Sequence, residues 1–249
     1  MMEILAPVAF LVVVLVAIHS WFGLRIIERG IIFTDLAIGQ TAALGSAISV
    51  GLFHAEHLYL WTLGFALLGA ALITFGVHRL RYIEAFIGLL YVLGASGVML
   101  VLSQSPEGME HFRELLATDI LFTSTESIFE SSLIYAIIGL LLLFVLPRTK
   151  GVMNELLFFT LLAVTVTSSV QLAGVLVVFV LLIAPALIAL VQKRFKPYWV
   201  ALITGTTFGL SAIITSFYLD LPTGYAIVFF GAFSALVAVL LLDRKTGVD

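Results

Sequence analysis

Cysteine is absent from all 249 residues, which excludes disulfides and thiolate metal sites. Charge is nearly as scarce. Lys, Arg, Asp and Glu make up 11% of the chain, against about 25% in soluble domains, so an ordinary soluble domain is excluded too. No phosphate-cradling Gly-rich loop, Gly-x-Ser-x-Gly or His-Glu-x-x-His stands in a suitable context. The chain is therefore expected not to be an enzyme and to hold no tight cofactor. Any ATP that drives it is hydrolysed by a partner, and no nucleic-acid partner is expected.

Hydrocarbon fills the space instead. Hydrophobic residues make up 62% of the chain and mean hydropathy is +1.21. At about 20 residues per crossing, the length accommodates about eight to ten membrane spans. Nine apolar segments read at 4–24, 31–53, 57–78, 82–103, 130–147, 152–171, 173–192, 198–218 and 222–242. The expected fold is all-α: a polytopic helical membrane protein, one transmembrane domain over 1–249. The opening apolar run is expected to stay as a span, because it is too long for a signal peptide and lacks a basic start.

The basic residues sort by side. Arg25, Arg29, Arg79, Arg81, Arg148, Lys150, Lys193, Arg194, Lys196, Arg244 and Lys245 all follow odd-numbered spans, and of the twelve only Arg113 does not. Basic residues mark cytoplasmic connections, so the N-terminus is expected outside and the C-terminus in the cytoplasm. The outer connections carry Glu56, Glu107, Glu110, Glu114, Asp119, Glu126, Glu130 and Asp220. Such a surface favours a cation or a basic partner, although the same sorting leaves acids outside by default. The outer segment at about 104–129 has Phe112, Leu115, Leu116 and Ile120 at helical spacing, so one or two short amphipathic helices are expected there.

Several residues are costly in lipid without a reason. Asp35 lies just inside the second segment with Gln40 five residues on, among Gly39, Ala42, Ala43, Gly45 and Ala47. An ionisable group in a span faces a cavity or a partner, and small residues mark close helix approach. Asp35 either lines a path or caps and pairs with Arg29 or Arg81; Glu84, just inside the fourth segment, is also placed to pair with Arg81. His19 and His78 read as packing or interfacial residues. His54, Glu56 and His57 share an outer turn and Glu110 adjoins His111, side chains that borderline and hard divalent metals accept. In the seventh segment Pro185 removes a backbone hydrogen bond, so that span is expected to be broken there and to face protein.

Three stretches together resemble the membrane subunits of the zinc, manganese and iron ABC importers, the ABC-3 permease family. FGLRIIERGIIFTDLAIGQTAALG is similar to the join of that family's first two spans. QLAGVLVVFVLLIAPALIAL resembles its Gly-Val-Leu-Leu run leading to a proline followed by alanines. GTTFGLSAIITSFYLDLPTGYAIV resembles its closing Asp-x-Pro-x-Gly pattern, and LLATDILFTSTESI its outer segment, with Ala117 where Gly is usual.

The resemblance implies a multi-pass inner (plasma) membrane permease that forms a divalent-metal path as a homodimer. It also implies a cytoplasmic ABC ATPase and an extracytoplasmic metal-binding protein as partners, besides the lipid bilayer. Path candidates at the matching positions are Asp35, Gln40, Glu84, Pro185 and Asp220; ATPase-contact candidates are Arg25, Arg29, Arg148, Lys150, Lys193, Arg194 and Lys196. Two departures stand out. The family's His after the second-span acid is replaced by Gly39 and Gln40, and its cytoplasmic coupling segment is cut to Pro147–Glu155. The second departure leaves open a permease-derived scaffold or accessory subunit without ATP coupling.

Overall fold

The computed structural model describes residues 2–103, 120–192 and 194–242. Among the described residues there are nine helices and no strand. They are α1 (Met2–Arg29), α2 (Thr34–Phe53), α3 (Leu58–Arg79), α4 (Ile83–Leu102), α5 (Thr125–Leu140), α6 (Gly151–Ala173), α7 (Val175–Val191), α8 (Pro197–Leu219) and α9 (Thr223–Leu242). A 3-10 turn, Ile120–Phe122, precedes α5, and a π segment, Leu141–Val145, then a 3-10 turn, Leu146–Arg148, follow it. Eight spans are long and apolar enough to cross a bilayer, α5 counting as one only with the segments that carry it to Arg148; the remaining helix, α7, has 17 residues and rises ~25 Å. The chain is a multi-pass helical membrane protein with the segments the hydropathy indicates.

Helices are the element lipid allows, because each closes its own backbone hydrogen bonds. Many hydroxyls follow the same economy. Thr62, Thr74, Ser132, Thr165 and Thr204 donate to the carbonyls of Leu58, Ala70, Ile128, Leu161 and Val200, four residues back in their own helices. The expected fifth span starts five residues early, at Thr125, because Ser124 Oγ accepts the Ser127 amide at 3.1 Å and caps the helix. Of the expected outer amphipathic segment, 104–119 lies outside the described residues.

The chain divides into two compact units. The first is built from α1, α7, α8 and α9, with the 3-10 turn and the start of α5. Here α7 is the core element, with eleven of its seventeen residues buried. Gly23 of α1 lies so close to α7 that a Cβ there would overlap the Leu182 carbonyl oxygen. Gly205 of α8 faces Val16 and Pro185, and Gly231 of α9 faces Phe208 and Val180. Small residues thus bring backbones together where lipid supplies no hydrophobic drive for association.

The second unit contains α2, α3, α4, α5 from Leu133 and α6 up to Gln171. Its centre is α2. Gly45 of α2 sits against Trp61 and Phe65 of α3, Gly69 of α3 against Thr41, and Gly94 and Gly97 of α4 against Gln40 and Leu44. A Cβ on Gly39 would stand 3.8 Å from Val166 of α6. Three helices therefore close on the stretch that carries Asp35 and Gln40.

Candidate functional site in the second unit

Asp35 lies in the first turn of α2, where a carboxylate is favoured by the helix dipole. That placement alone would suit a surface cap, yet the residue is only 2% exposed. Its Oδ1 is buried and has no hydrogen-bond partner. Gln40 is 7% exposed and lies against Gly94. On α6, one residue beyond the Val166 contact, Thr167 Oγ1 is likewise buried and unpartnered. Glu84 does not pair with Arg81. Its Oε1 accepts the Phe33 amide at 3.4 Å, just before α2 begins, and its Oε2 is buried without a partner. Polar oxygens of this kind are expensive in a bilayer and are kept where they face each other, a cavity or a passing ligand.

Sequence reading passed over the hydroxyl run on α6. Thr165, Thr167, Ser168 and Ser169 fall within five residues of an otherwise apolar segment, and that density was the available signal. Ser168 Oγ bonds Tyr135 Oη at 2.9 Å and also reaches the Val164 and Thr165 carbonyls, and Ser169 bonds the Thr165 carbonyl. Only Thr167 in this run keeps an unpartnered buried oxygen.

The other candidates lie elsewhere. His54, Glu56 and His57 are exposed, and no group of three or more His, Asp or Glu able to hold a metal occurs among the described residues. The reason lies in the backbone. His54, Ala55 and His57 adopt left-handed φ of 51°, 63° and 54°, and the turn is closed by the Ala55 amide on Ser49 O, the Glu56 amide on Phe53 O and Ser49 Oγ on Glu56 O. Glu110 and His111 lie outside the described residues. In the first unit Asp220 is an exposed left-handed cap at the end of α8, with φ 52°, a conformation Asp tolerates. Beside it, Ser216 Oγ bonds Leu221 O at 2.5 Å and Thr223 Oγ1 at 2.7 Å.

Pro185 is buried in the first unit with its ring against Gly205, so it faces protein as expected. It does not break the helix: α7 runs through it from Val175 to Val191. The interruption stands eleven residues earlier at Gly174, φ 81° and ψ 159°, the one residue between α6 and α7. That region of backbone space is essentially reserved for glycine.

Residues 148–242 match the model of the ABC 3 transport family. The matched stretch is less than half of the chain. The chain is 29% identical over 163 residues to a probable iron transport system membrane protein of Haemophilus influenzae, a match covering 59% of this chain. The chain thus spans about 60% of the length of that curated relative. The fold is similar to a chain of PsaBC from Streptococcus pneumoniae, solved in complex with Fab, with TM-score 0.75 and 18% identity, covering 94% of this chain and 90% of that one. It is also similar to a chain of a transporter described as metal-chelate type, in an inward-facing conformation, with TM-score 0.69, 17% identity, 94% of this chain and 85% of that one. At these identities the likeness to the solved structures is one of fold.

The stretch matched by the ABC 3 family model contains Gly174, Pro185 and Asp220, whereas Asp35, Gln40 and Glu84 precede it. It opens on the shortened join. Arg148 and Gly151 are separated by two residues, and the Asn154 amide donates to Leu146 O at 2.8 Å, Thr149 O at 3.3 Å and Thr149 Oγ1 at 3.0 Å. Only Thr149 and Lys150 of the join lie outside the 3-10 turn and α6, so no separate helix stands there. Among the ATPase-contact candidates, Arg148, Lys150, Arg194, Lys196 and Arg29 are exposed. Arg25 is half-buried, donates to Trp21 O at 3.2 Å and stacks 3.3 Å from the Trp21 ring. Lys193 lies outside the described residues.

Proposed function

We propose that the chain is the membrane-spanning permease subunit of an ATP-driven importer for a divalent metal ion: zinc, manganese or iron. The observation that carries this reading is a buried acid with an unpartnered oxygen, Asp35, on the central helix of a unit, in a chain whose residues 148–242 match the ABC 3 family model. The iron-transport description of the Haemophilus influenzae relative supports a metal as substrate. In this reading Asp35, Gln40 and Glu84 offer oxygen donors to an ion in transit, and Asp35 sheds water from the ion by replacing part of its shell. Two copies of the chain form the path, with the N-terminus outside and the C-terminus in the cytoplasm of the plasma (inner) membrane. A cytoplasmic ABC ATPase drives it and an extracytoplasmic metal-binding protein delivers the ion. The exposed basic residues at the helix ends, such as Arg148 and Arg194, are the surfaces offered to the ATPase.

One observation favours a second reading. The closed turn at Arg148–Gly151 leaves no helix there to seat in an ATPase, which fits a permease-derived scaffold or accessory subunit without ATP coupling. Isolation of the tagged chain from native membrane separates the two. An ATP-hydrolysing subunit at equal stoichiometry, with metal uptake lost in Asp35→Asn, supports the importer. Repeated absence of the ATPase and recovery of unrelated membrane proteins supports the scaffold.

A further inference from the structure

The interior of the second unit has one chemical character. Among its described residues, every buried polar side chain is a Ser, Thr, Asp or Gln, ending in a hydroxyl, a carboxylate or a carboxamide. Its described histidines, His54, His57 and His78, are exposed, as are Met99 and Met153, and the chain has no cysteine. Imidazole, thioether and thiolate are kept out of this interior. The buried imidazole of His19 belongs to the first unit, where its Nδ1 lies 2.8 Å from Leu15 O.

The unpartnered atoms are of the same kind. Asp35 Oδ1, Glu84 Oε2 and Thr167 Oγ1 are buried oxygens without a hydrogen bond, and Asp35 and Thr167 are each only 2% exposed. Asp35 and Gly39 stand four residues apart on one face of α2, the face that Val166 meets from α6, and Thr167 follows Val166. An acid and a hydroxyl therefore arrive from two helices in contact. Buried oxygens left without a donor cost free energy that apolar side chains in their place would avoid. A cation supplies the missing partner. No group of three or more His, Asp or Glu gathers among the described residues, so the ion keeps part of its water and meets little fixed charge.

On the importer reading above, we propose that this oxygen-only interior selects a hard divalent cation, manganese among the three candidate ions, and disfavours zinc. Imidazole and thiolate are the ligands of four-coordinate zinc sites. Carboxylate, carbonyl and water suit manganese. Affinity rises from manganese to zinc at almost any site, so a passage for manganese gains by omitting the ligands that widen that gap. Sparse charge serves release as well, because a site on a path must bind loosely enough for the ion to leave.

Two arms test the selection. In cells making the full chain with its partners, Mn2+ accumulates, and about a tenfold excess of Zn2+ lowers that uptake by no more than about twofold. With the full chain purified in mild detergent, electron paramagnetic resonance of free Mn2+ reads binding directly. Asp35→Asn weakens Mn2+ binding by about tenfold or more. Thr167→Val weakens it severalfold while the fold is kept, since the lost hydroxyl bonds to nothing in the chain. Gln40→His places one imidazole on α2, and Zn2+ then displaces Mn2+ at lower concentration than in the wild type. Zn2+ uptake equal to or above that of Mn2+ overturns the proposal, as does Mn2+ binding left unchanged by both Asp35→Asn and Thr167→Val. Where Gln40→His misfolds against Gly94, those two variants decide. Accumulation of neither ion defeats the importer reading instead, and the donor set is then judged by the binding arm alone.

Discussion

Two glycines on α4 make a controlled experiment. At Gly94 an added Cβ would lie 2.9 Å from both the carbonyl carbon and the Cβ of Gln40, and 3.0 Å from its oxygen. Ordinary contact begins at 3.4 Å, so Gly94→Ala must move α4 or α2 by about 0.5 Å, and the obstacle is largely backbone with no rotamer to yield. At Gly88, six residues earlier on the same helix, nothing lies within 4 Å. Replacing a mid-helix glycine by alanine gains about 0.5–1 kcal/mol in either case. Overpacking costs about 1–3 kcal/mol and applies only at Gly94. Gly88→Ala should therefore raise stability slightly, and Gly94→Ala should lower it by about 1 kcal/mol. For a chain of this size that is a Tm change of about 2–4 °C in each case, of opposite sign. Intrinsic tryptophan fluorescence during thermal unfolding in detergent measures it, since no cysteine is present for a thiol dye. If transport proceeds past Gln40, metal uptake falls in Gly94→Ala and holds in Gly88→Ala. Equal Tm shifts for the two variants would refute the close approach of α4 to α2.

Three further outcomes follow from the same structure. Asp35→Asn should abolish metal uptake while leaving thermal stability equal or higher, because the variant swaps a buried unpartnered carboxylate oxygen for a neutral amide. Gly174→Ala should destabilise by about 1–3 kcal/mol, measured by thermal unfolding, because φ 81° with ψ 159° suits only glycine. Pro185→Ala should cost less, since α7 is already continuous through that position. Asn154→Ala should open the Arg148–Gly151 turn, seen as faster cleavage there by trypsin, because three hydrogen bonds vanish with one side chain.

The spans were legible because lipid imposes one requirement on every crossing segment, and apolar length reports it directly. Asp35 and Gln40 were legible for the converse reason: polarity inside a span is rare and needs a cause. Pro185 misled because a proline removes a donor without dictating that the helix stop; here the ring packs on Gly205 and the turn stays helical. Gly174 gave no warning, since a glycine in an apolar run looks the same whether it packs or turns. The His54–His57 cluster failed differently. Spacing places residues near each other along the chain, whereas backbone torsions decide whether their side chains converge. The start of α5 was hidden behind polar residues that serve as a cap, and Thr167 stood out only once its neighbours were known to be satisfied by their own helices.

The hydroxyls that bond back onto their own carbonyls bear on how the chain is made. A segment carrying Thr74 or Thr204 arrives at the lateral exit of the insertion machinery with that polarity already masked, and can leave for the bilayer alone. The second segment masks Thr34 and Thr41 in the same way but carries Asp35 with one oxygen unpartnered. Its release should wait for the helices that flank it, so early stalling during biogenesis would be expected at α2 and nowhere near α9.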